Sequence, residues 1–204
     1  MTAHAEITGL ILAGGRAQRM GGIDKGLVSF MGKPLIEHAI ARLSPQVTTI
    51  LINANRNHDR YVQYGHAVIA DHHPDFAGPL AGFAAGLKQC KTEYLLSVPC
   101  DSPVFPLNLS QKLLEEMNST QSDLVYASSI DSAGATWTQP VFCLMRRSVQ
   151  QSLQEFLDQG GRKIDRWFEA LPSSTVVFAD EAAFANTNTP EELQALEQVL
   201  RASN

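Results

Sequence analysis

The sequence predicts a single α/β domain built on a mostly parallel sheet with helices on both faces. Three observations carry this. From Ile7 to about Asn118, short apolar and β-branched runs alternate with stretches of helical periodicity, the rhythm of parallel strands joined by helical crossovers. The first run empties into a long glycine-rich loop, a feature of strand-to-helix turns in such sheets. The length of 204 residues suits one domain with a substantial core, and 44% hydrophobic with 18% charged residues is ordinary for a globular chain.

Residues 7–12 read as a buried strand. They lead into Leu12-Ala13-Gly14-Gly15, followed by Arg16, Arg19, Gly21, Gly22, Asp24 and Lys25. The glycines let backbone N–H groups turn toward an anion, and Arg16, Arg19 and Lys25 are interleaved with them. A bare Gly-Gly pair makes a tight turn as readily. Two such pairs with three cations, at the end of a first strand, favour a phosphate loop. It is not a Gly-x-x-x-x-Gly-Lys-Ser/Thr loop, nor a Gly-x-Gly-x-x-Gly fingerprint. Pro34 then opens a helix whose apolar positions are Leu35, Ile36, Ala39, Ile40 and Leu43.

Residues 48–53 predict a second strand ending at Asn53, which either closes a turn or faces the ligand from a strand's carboxyl end. Residues 67–71 predict a third, ending at Asp71. His72 and His73 are adjacent and point to opposite sides of an extended chain, so they do not read as a metal pair. Gly78-Pro79-Leu80-Ala81-Gly82 opens a helix to about Gln89, and its small residues let the N-terminus approach a ligand closely. Residues 93–99 predict a strand running into Asp101, which stands between Pro99 and Pro103. Asp101 is either a solvated turn residue or the ligand of a hard cation. The phosphate loop on the same chain favours the cation. Magnesium takes one or two carboxylates and completes its shell with phosphate oxygens and water.

After Asn118 the rhythm changes. Residues 124–128 and 139–145 are strands without a helix between them, so an antiparallel pair is expected, joined by a polar loop. Trp137 on that loop either lies near the site or belongs to the core. Ser148 and Gln151 form a capping-box pattern for a helix ending near Gly160. A further helix is expected from about Lys163 to Leu171, amphipathic through Ile164, Trp167, Phe168 and Leu171. Its Arg162, Lys163 and Arg166 either hold an acceptor phosphate or make a solvated face. Residues 174–178 predict the last strand, and Thr189, Pro190 and Glu192 mark the start of a last helix.

A net charge of −5, from 16 basic and 21 acidic residues, argues against a general nucleic-acid surface. Residues 1–33 run the other way, with Arg16, Arg19, Lys25 and Lys33 against Glu6 and Asp24, as a small anionic ligand requires. Three cysteines without a Cys-x-x-Cys suggest reduced thiols and a cytoplasmic location. No signal peptide is expected, and no membrane span, since no run approaches ~18 apolar residues.

Leu12-Ala13-Gly14-Gly15-x-x-x-Arg19-Met20-Gly21-Gly22-x-Asp24-Lys25 resembles the signature loop of nucleotidyltransferases that build nucleotide-linked cofactors and sugars. With Gly32-Lys33-Pro34-Leu35, Asp71 before Gly-Pro-Leu-x-Gly, Asp101, and the tail Asn186-x-Asn188-Thr189-Pro190-Glu191-Glu192-Leu193, it is similar to the molybdenum cofactor guanylyltransferases along nearly its whole length. The resemblance implies a Rossmann-like nucleotidyltransferase domain, with residues 1–105 binding nucleotide and 106–204 binding acceptor. It implies transfer of GMP from GTP to Mo-molybdopterin with Mg2+, giving the guanine dinucleotide cofactor and pyrophosphate. Lys25, Arg19 and Asp101 would be catalytic, with Asp101 on the metal. Leu12, Ala13, Gly14, Gly15, Lys25, Asn53, Asp71, Gly78, Asp101, Asn186 and Asn188 would line the nucleotide site. Asp24 and Asp71 are open as a second metal carboxylate. The expected partners are the two substrates and, for the product, molybdoenzyme chaperones or other cofactor-biosynthesis proteins, with no nucleic acid and no membrane. The alternatives are a cytidylyl- or sugar-phosphate nucleotidyltransferase of the same fold and a non-catalytic GTP-binding protein.

Overall fold

A computed structural model of the protein describes residues 6–14, 24–71, 78–131, 133–179, 182–187 and 189–202. In chain order the strands are β1 (Ile7–Leu12), β2 (Ser29–Phe30), β3 (Lys33–Pro34), β4 (Thr49–Asn53), β5 (Ala67–Ile69), β6 (Tyr94–Pro99), β7 (Leu124–Ile130), β8 (Thr136–Arg146) and β9 (Ser173–Phe178). The helices are α1 (Leu35–Leu43), α2 (His58–Tyr61), α3 (Pro79–Gln89), α4 (Leu109–Thr120), α5 (Gln150–Asp158), α6 (Ile164–Phe168) and α7 (Pro190–Ala202). The described residues form a seven-stranded sheet in the order β5-β4-β1-β6-β8-β7-β9, with β2 and β3 as a separate hairpin.

Strands β5, β4, β1 and β6 are parallel neighbours, while β8 runs antiparallel to both β6 and β7, and β9 is parallel to β7. The mostly parallel α/β fold expected from the sequence is therefore present. Because side chains alternate along a strand, β1 sends Ile7 and Ile11 to one face and Leu10 to the other. Both faces are covered. On the first, Ile36, Ala39 and Leu43 of α1 and Leu109, Leu113 and Met117 of α4 pack against the sheet. On the second, Leu80, Phe83 and Leu87 of α3 meet Leu153 and Leu157 of α5 and Trp167 and Phe168 of α6. Burial on both faces is why these strands read as continuous apolar runs.

The later elements differ in detail from the pattern. The antiparallel pair is present, but β7 extends to Ile130 and β8 begins at Thr136, so Trp137 stands on a strand. It is 57% exposed, which overturns its reading as a core residue. The expected capping box at Ser148 is absent: a 3-10 turn at Arg147–Val149 precedes α5, whose N-cap is Val149 without a side-chain bond, and Gln151 bonds Glu155 instead. The helix expected from Lys163 to Leu171 spans only Ile164–Phe168. Arg166 pairs with Glu169 on the surface and Arg162 bonds the carbonyls of Leu157 and Gly161, in keeping with a solvated face. The last helix starts as expected. Thr189 Oγ1 accepts from the Glu192 N–H at 3.2 Å, and the Glu192 carboxylate accepts from the Thr189 N–H at 3.2 Å.

Candidate active site

The chain runs from β1 outward to β4 and β5, then returns to lay β6 on the other side of β1. The order reverses between β1 and β6. Ligands bind in open α/β sheets at such a switch, beyond the carboxyl ends of the strands. Leu12 of β1 sits opposite Asn53 of β4 and Pro99 of β6, so the ends of all three strands are level. Three backbone bonds carry the alignment past the strands: Ala13 N–H to Asn53 O at 2.8 Å, Cys100 N–H to Leu12 O at 3.1 Å, and Ala54 N–H to Ile69 O at 2.9 Å. The sheet thereby delivers the ends of separate strands to one rim.

At the β6 end of that rim, Lys25 Nζ lies 3.1 Å from Asp101 Oδ2, with both side chains largely covered. These two residues, 76 positions apart, are the pair that the sequence singles out. Thr187 donates its N–H and its Oγ1 hydroxyl to the carbonyl of Asp101, at 2.9 and 3.0 Å. Ser102 Oγ donates to Asn186 Oδ1 at 2.5 Å. Asn186 thus supports the Asp101 turn, and Thr187 and Ser102 are functional candidates that the sequence reasoning missed. Their part depends on the chain returning from 86 residues away, which no local pattern signals.

Toward β4 and β5, Asn53 Nδ2 donates to Asp71 Oδ1 at 2.9 Å and Asn55 Nδ2 to Asp71 Oδ2 at 2.7 Å, while the Asp71 N–H returns to Asn55 Oδ1 at 2.9 Å. Asn55 joins Asn53 and Asp71 here, and its place two residues past the strand end was the signal that could have found it. Gly14 lies against both asparagines, and Gly78 stands at the N-cap of α3. A Cβ at Gly82, one turn into α3, would lie 2.5 Å from Leu12 Cδ2 and 2.7 Å from Asn53 Oδ1, so only glycine allows the helix to come this close to the rim. Gly15, Arg19 and Asn188 lie outside the described residues, as do His72 and His73.

The donor set suits a hard cation that shares its shell with substrate. Asp101 offers carboxylate oxygens, and Oδ1 accepts no hydrogen bond from the described residues. No group of three or more His, Cys, Asp or Glu among the described residues could form a complete protein cage. One carboxylate plus phosphate oxygens and water is the arrangement magnesium accepts. Cys100, next to Asp101, is buried. Burial first, then the nearby Asp101 and Asp24 charges, push its thiol well above its usual range. A shallow depression of about 370 Å³ lined by Lys91, Thr92, Glu93, Arg146, Arg147 and Ser148 lies where β6 begins and β8 ends, at the opposite end of the sheet from this rim.

The chain matches the model of the MobA-like NTP transferase domain over residues 9–174. It is 64% identical to the molybdenum cofactor guanylyltransferase of Polynucleobacter asymbioticus over 200 residues, covering 98% of this chain and 100% of the relative. The corresponding protein of Bordetella petrii is 51% identical, over 96% of this chain and 100% of its own. Among solved structures, molybdopterin-guanine dinucleotide biosynthesis protein A from Archaeoglobus fulgidus shares the fold with a TM-score of 0.78 at 23% identity, covering 96% of this chain and 99% of that one. A CMP:2-keto-3-deoxy-manno-octonic acid synthetase shares it with a TM-score of 0.76 at 14% identity, covering 99% of this chain and 100% of that one. The match along the whole length of close relatives, on a fold that carries Lys25 and Asp101 to one rim, leads to one assignment: the chain belongs to the MobA-like NTP transferases and, within them, to the molybdenum cofactor guanylyltransferases, a group of nucleotidyltransferases.

Proposed function

We propose that the protein transfers GMP from GTP to the phosphate of Mo-molybdopterin, forming the guanine dinucleotide cofactor and pyrophosphate, with Mg2+ as the metal. The observation that carries the reading is the Lys25–Asp101 pair at 3.1 Å on the switch-point rim. A phosphate oxygen of the acceptor attacks the α-phosphorus of GTP, and the bond to the pyrophosphate oxygen breaks. The protein's task in such a transfer is positioning and charge stabilisation.

Lys25 and Asp101 satisfy each other, which keeps two partly buried charges compensated. With GTP bound, Lys25 turns to the triphosphate, joined by Arg19 and by backbone N–H groups of residues 13–15. Asp101 would hold the cation through its carboxylate. Magnesium would supply neutralisation of phosphate charge at that carboxylate. Asn53, Asn55 and Asp71 form a preassembled polar edge for the base or ribose, with Gly14 against the asparagines and Asn186 joined to Ser102 beside Asp101, and the reading assigns Leu12, Ala13, Gly15, Gly78 and Asn188 to the same nucleotide.

The reading divides labour along the chain, with residues 1–105 for nucleotide and 106–204 for acceptor. Support for the second half comes from the register: β8 runs antiparallel to β6, so its first residues project past the carboxyl end of β6, on the side of the rim. The product would pass to cofactor-biosynthesis proteins or molybdoenzyme chaperones in the cytoplasm. No helix among the described residues is long and apolar enough to cross a membrane.

The test is pyrophosphate release with Mg2+ and each of GTP, CTP, ATP and UTP, with and without molybdopterin acceptor. Release with GTP alone, and only with acceptor, is expected. Lys25→Ala and Asp101→Ala should each lose on the order of 10²-fold in rate, as when one fixed charge-stabilising group is removed. Preference for CTP would move the function to a cytidylyltransferase. GTP binding without turnover would leave a binding protein. Near-normal turnover in either variant would remove the catalytic roles.

A further inference from the structure

We propose that Tyr61 and Asn57 are positioning residues of this site: by filling both carboxylate oxygens of Asp24, they set the neighbouring Lys25 opposite Asp101. The inference rests on the reading of Lys25 and Asp101 as the catalytic pair.

Asp24 is 8% exposed, so its carboxylate needs internal partners. Among the described residues it has two, both neutral donors. The Tyr61 hydroxyl donates to Oδ1, and Asn57 Nδ2 donates to Oδ2 at 2.9 Å. Both donors come from one short element. Asn57 is the N-cap of α2 in a left-handed conformation (φ 52°, ψ 35°), and Tyr61 is the last residue of that helix. The Asn57 carbonyl accepts the N–H groups of Arg60 and Tyr61, at 2.9 and 3.2 Å, which holds the two side chains in a constant relation. The Tyr61 ring is fully buried in the sheet core. Burial first, then the bond to Asp24, pushes its phenol far above its usual range, so it remains a donor.

The other side of the contact is the end of the glycine-rich loop. Leu27 N–H bonds Asp24 O and Val28 N–H bonds Lys25 O, each at 3.0 Å, which closes a 3-10 turn over Lys25–Leu27. Gly26 rests directly on the phenol, since a Cβ there would lie 2.5 Å from the Tyr61 hydroxyl oxygen. The residues on both sides of Lys25 are thus seated on Tyr61, one through its carboxylate and one through its backbone. From that seat Lys25 Nζ reaches Asp101 at 3.1 Å. Asp24 is thereby engaged structurally. To join Asp101 on a cation it would have to give up the phenol or the amide.

Two variants separate this role from packing. Tyr61→Phe keeps the ring and removes the hydroxyl. Asn57→Gly keeps the left-handed backbone and removes the amide. In protein labelled with 15N-lysine, the Lys25 Nζ resonance, assigned with Lys25→Arg, is read without any nucleotide. In each variant, with far-UV circular dichroism unchanged, it should move toward the position of solvent-exposed lysines. Pyrophosphate release should fall about 10-fold, the effect of removing a partner that orients a working group. In a Lys25→Ala background the same substitutions should cost less than about twofold, because a residue acting through Lys25 has nothing left to act on. An unmoved Lys25 signal with turnover near wild type would overturn the proposal. So would an equal loss with and without Lys25, which would mark Tyr61 as core packing alone. A wild-type protein that releases no pyrophosphate would sink the functional reading instead, and the lysine resonance would still decide the positioning role.

Discussion

Asp101 presents its carboxylate at the rim because its backbone is tied down by a residue from the far end of the chain. Thr187 is 3% exposed and spends both its donors, N–H and hydroxyl, on the Asp101 carbonyl. Thr187→Val keeps the shape and the N–H bond but removes the hydroxyl donor. It should cost about 1 kcal/mol of stability, the usual net worth of one such bond, and lower turnover several-fold by loosening the turn. Thr187→Ser should restore the rate. Urea titration alongside pyrophosphate release checks this, and lost stability with undiminished rate in Thr187→Val would reduce the clamp to a purely structural one. Residues of this kind are hard to read from a sequence. Lys25, Asp101, Asn53 and Asp71 are visible because a charged or amide side chain at a strand's end or in a glycine-rich loop has few structural excuses. Thr187 looks like any threonine until the fold brings it against Asp101.

At the scale of elements, what was legible follows the length of the pattern. Strands β1, β4 and β6 declare themselves as continuous apolar runs, and helices α1, α3 and α4 repeat their apolar positions often enough to declare a period. The helix α2 has four residues, too few for a period, and its Tyr61 is missed with it. The β2–β3 hairpin turns at Met31 and Gly32, both with positive φ (47° and 81°), and methionine is a poor signal for a turn that usually carries asparagine or aspartate there. The β7–β8 hairpin is legible, but its strands run longer than the pattern suggests, because Thr136, Trp137 and Thr138 look like loop and are exposed strand. Here Trp137 Nε1 donates to Asp131 Oδ2 at 2.9 Å, and Asp131 also accepts from the Ala133 and Ala135 N–H groups. The bond from Trp137 first, then the backbone bonds, hold the Asp131 carboxyl below its ordinary range, so the ring's anchor stays ionised under mildly acidic conditions. An exposed indole held at one end is suited to stack on the flat ring of an acceptor. Trp137→Ala should raise the acceptor KM about tenfold, since stacking of a heteroaromatic ring on a side chain is worth about 1–3 kcal/mol, and leave the GTP KM unchanged. A rise in the GTP KM, or no change in either, would remove the hairpin from the acceptor site.

For the whole molecule, the C-terminal segment closes a circuit that the sheet leaves open. The sheet places Asp101 through β6, whereas Lys25 stands on a turn after the glycine-rich loop, outside any strand of the sheet. The segment from Thr187 onward touches Asp101 and the elements that follow Lys25. Thr187 grips the Asp101 carbonyl, and α7 then lays Leu196, with Leu193 and Leu200 beside it, on Phe30 and Leu35 of the hairpin and α1 that follow Lys25. Glu197 Oε1 accepts the Met31 N–H at the tip of the hairpin, at 2.5 Å. This small apolar cluster is separate from the two main cores, and it ties a helix from the other end of the sequence to the elements that follow Lys25. Leu196→Ala tests the link. Truncating a buried leucine costs about 2–5 kcal/mol, and at the edge of a small cluster that can partly collapse the lower end applies, about 2 kcal/mol in a urea titration. If α7 braces the site, turnover at a temperature where the variant is still folded should also fall several-fold, with amide exchange quickened in residues 28–35. If α7 only adds stability, the urea midpoint will drop while turnover stays at the wild-type value, and the bracing role is lost.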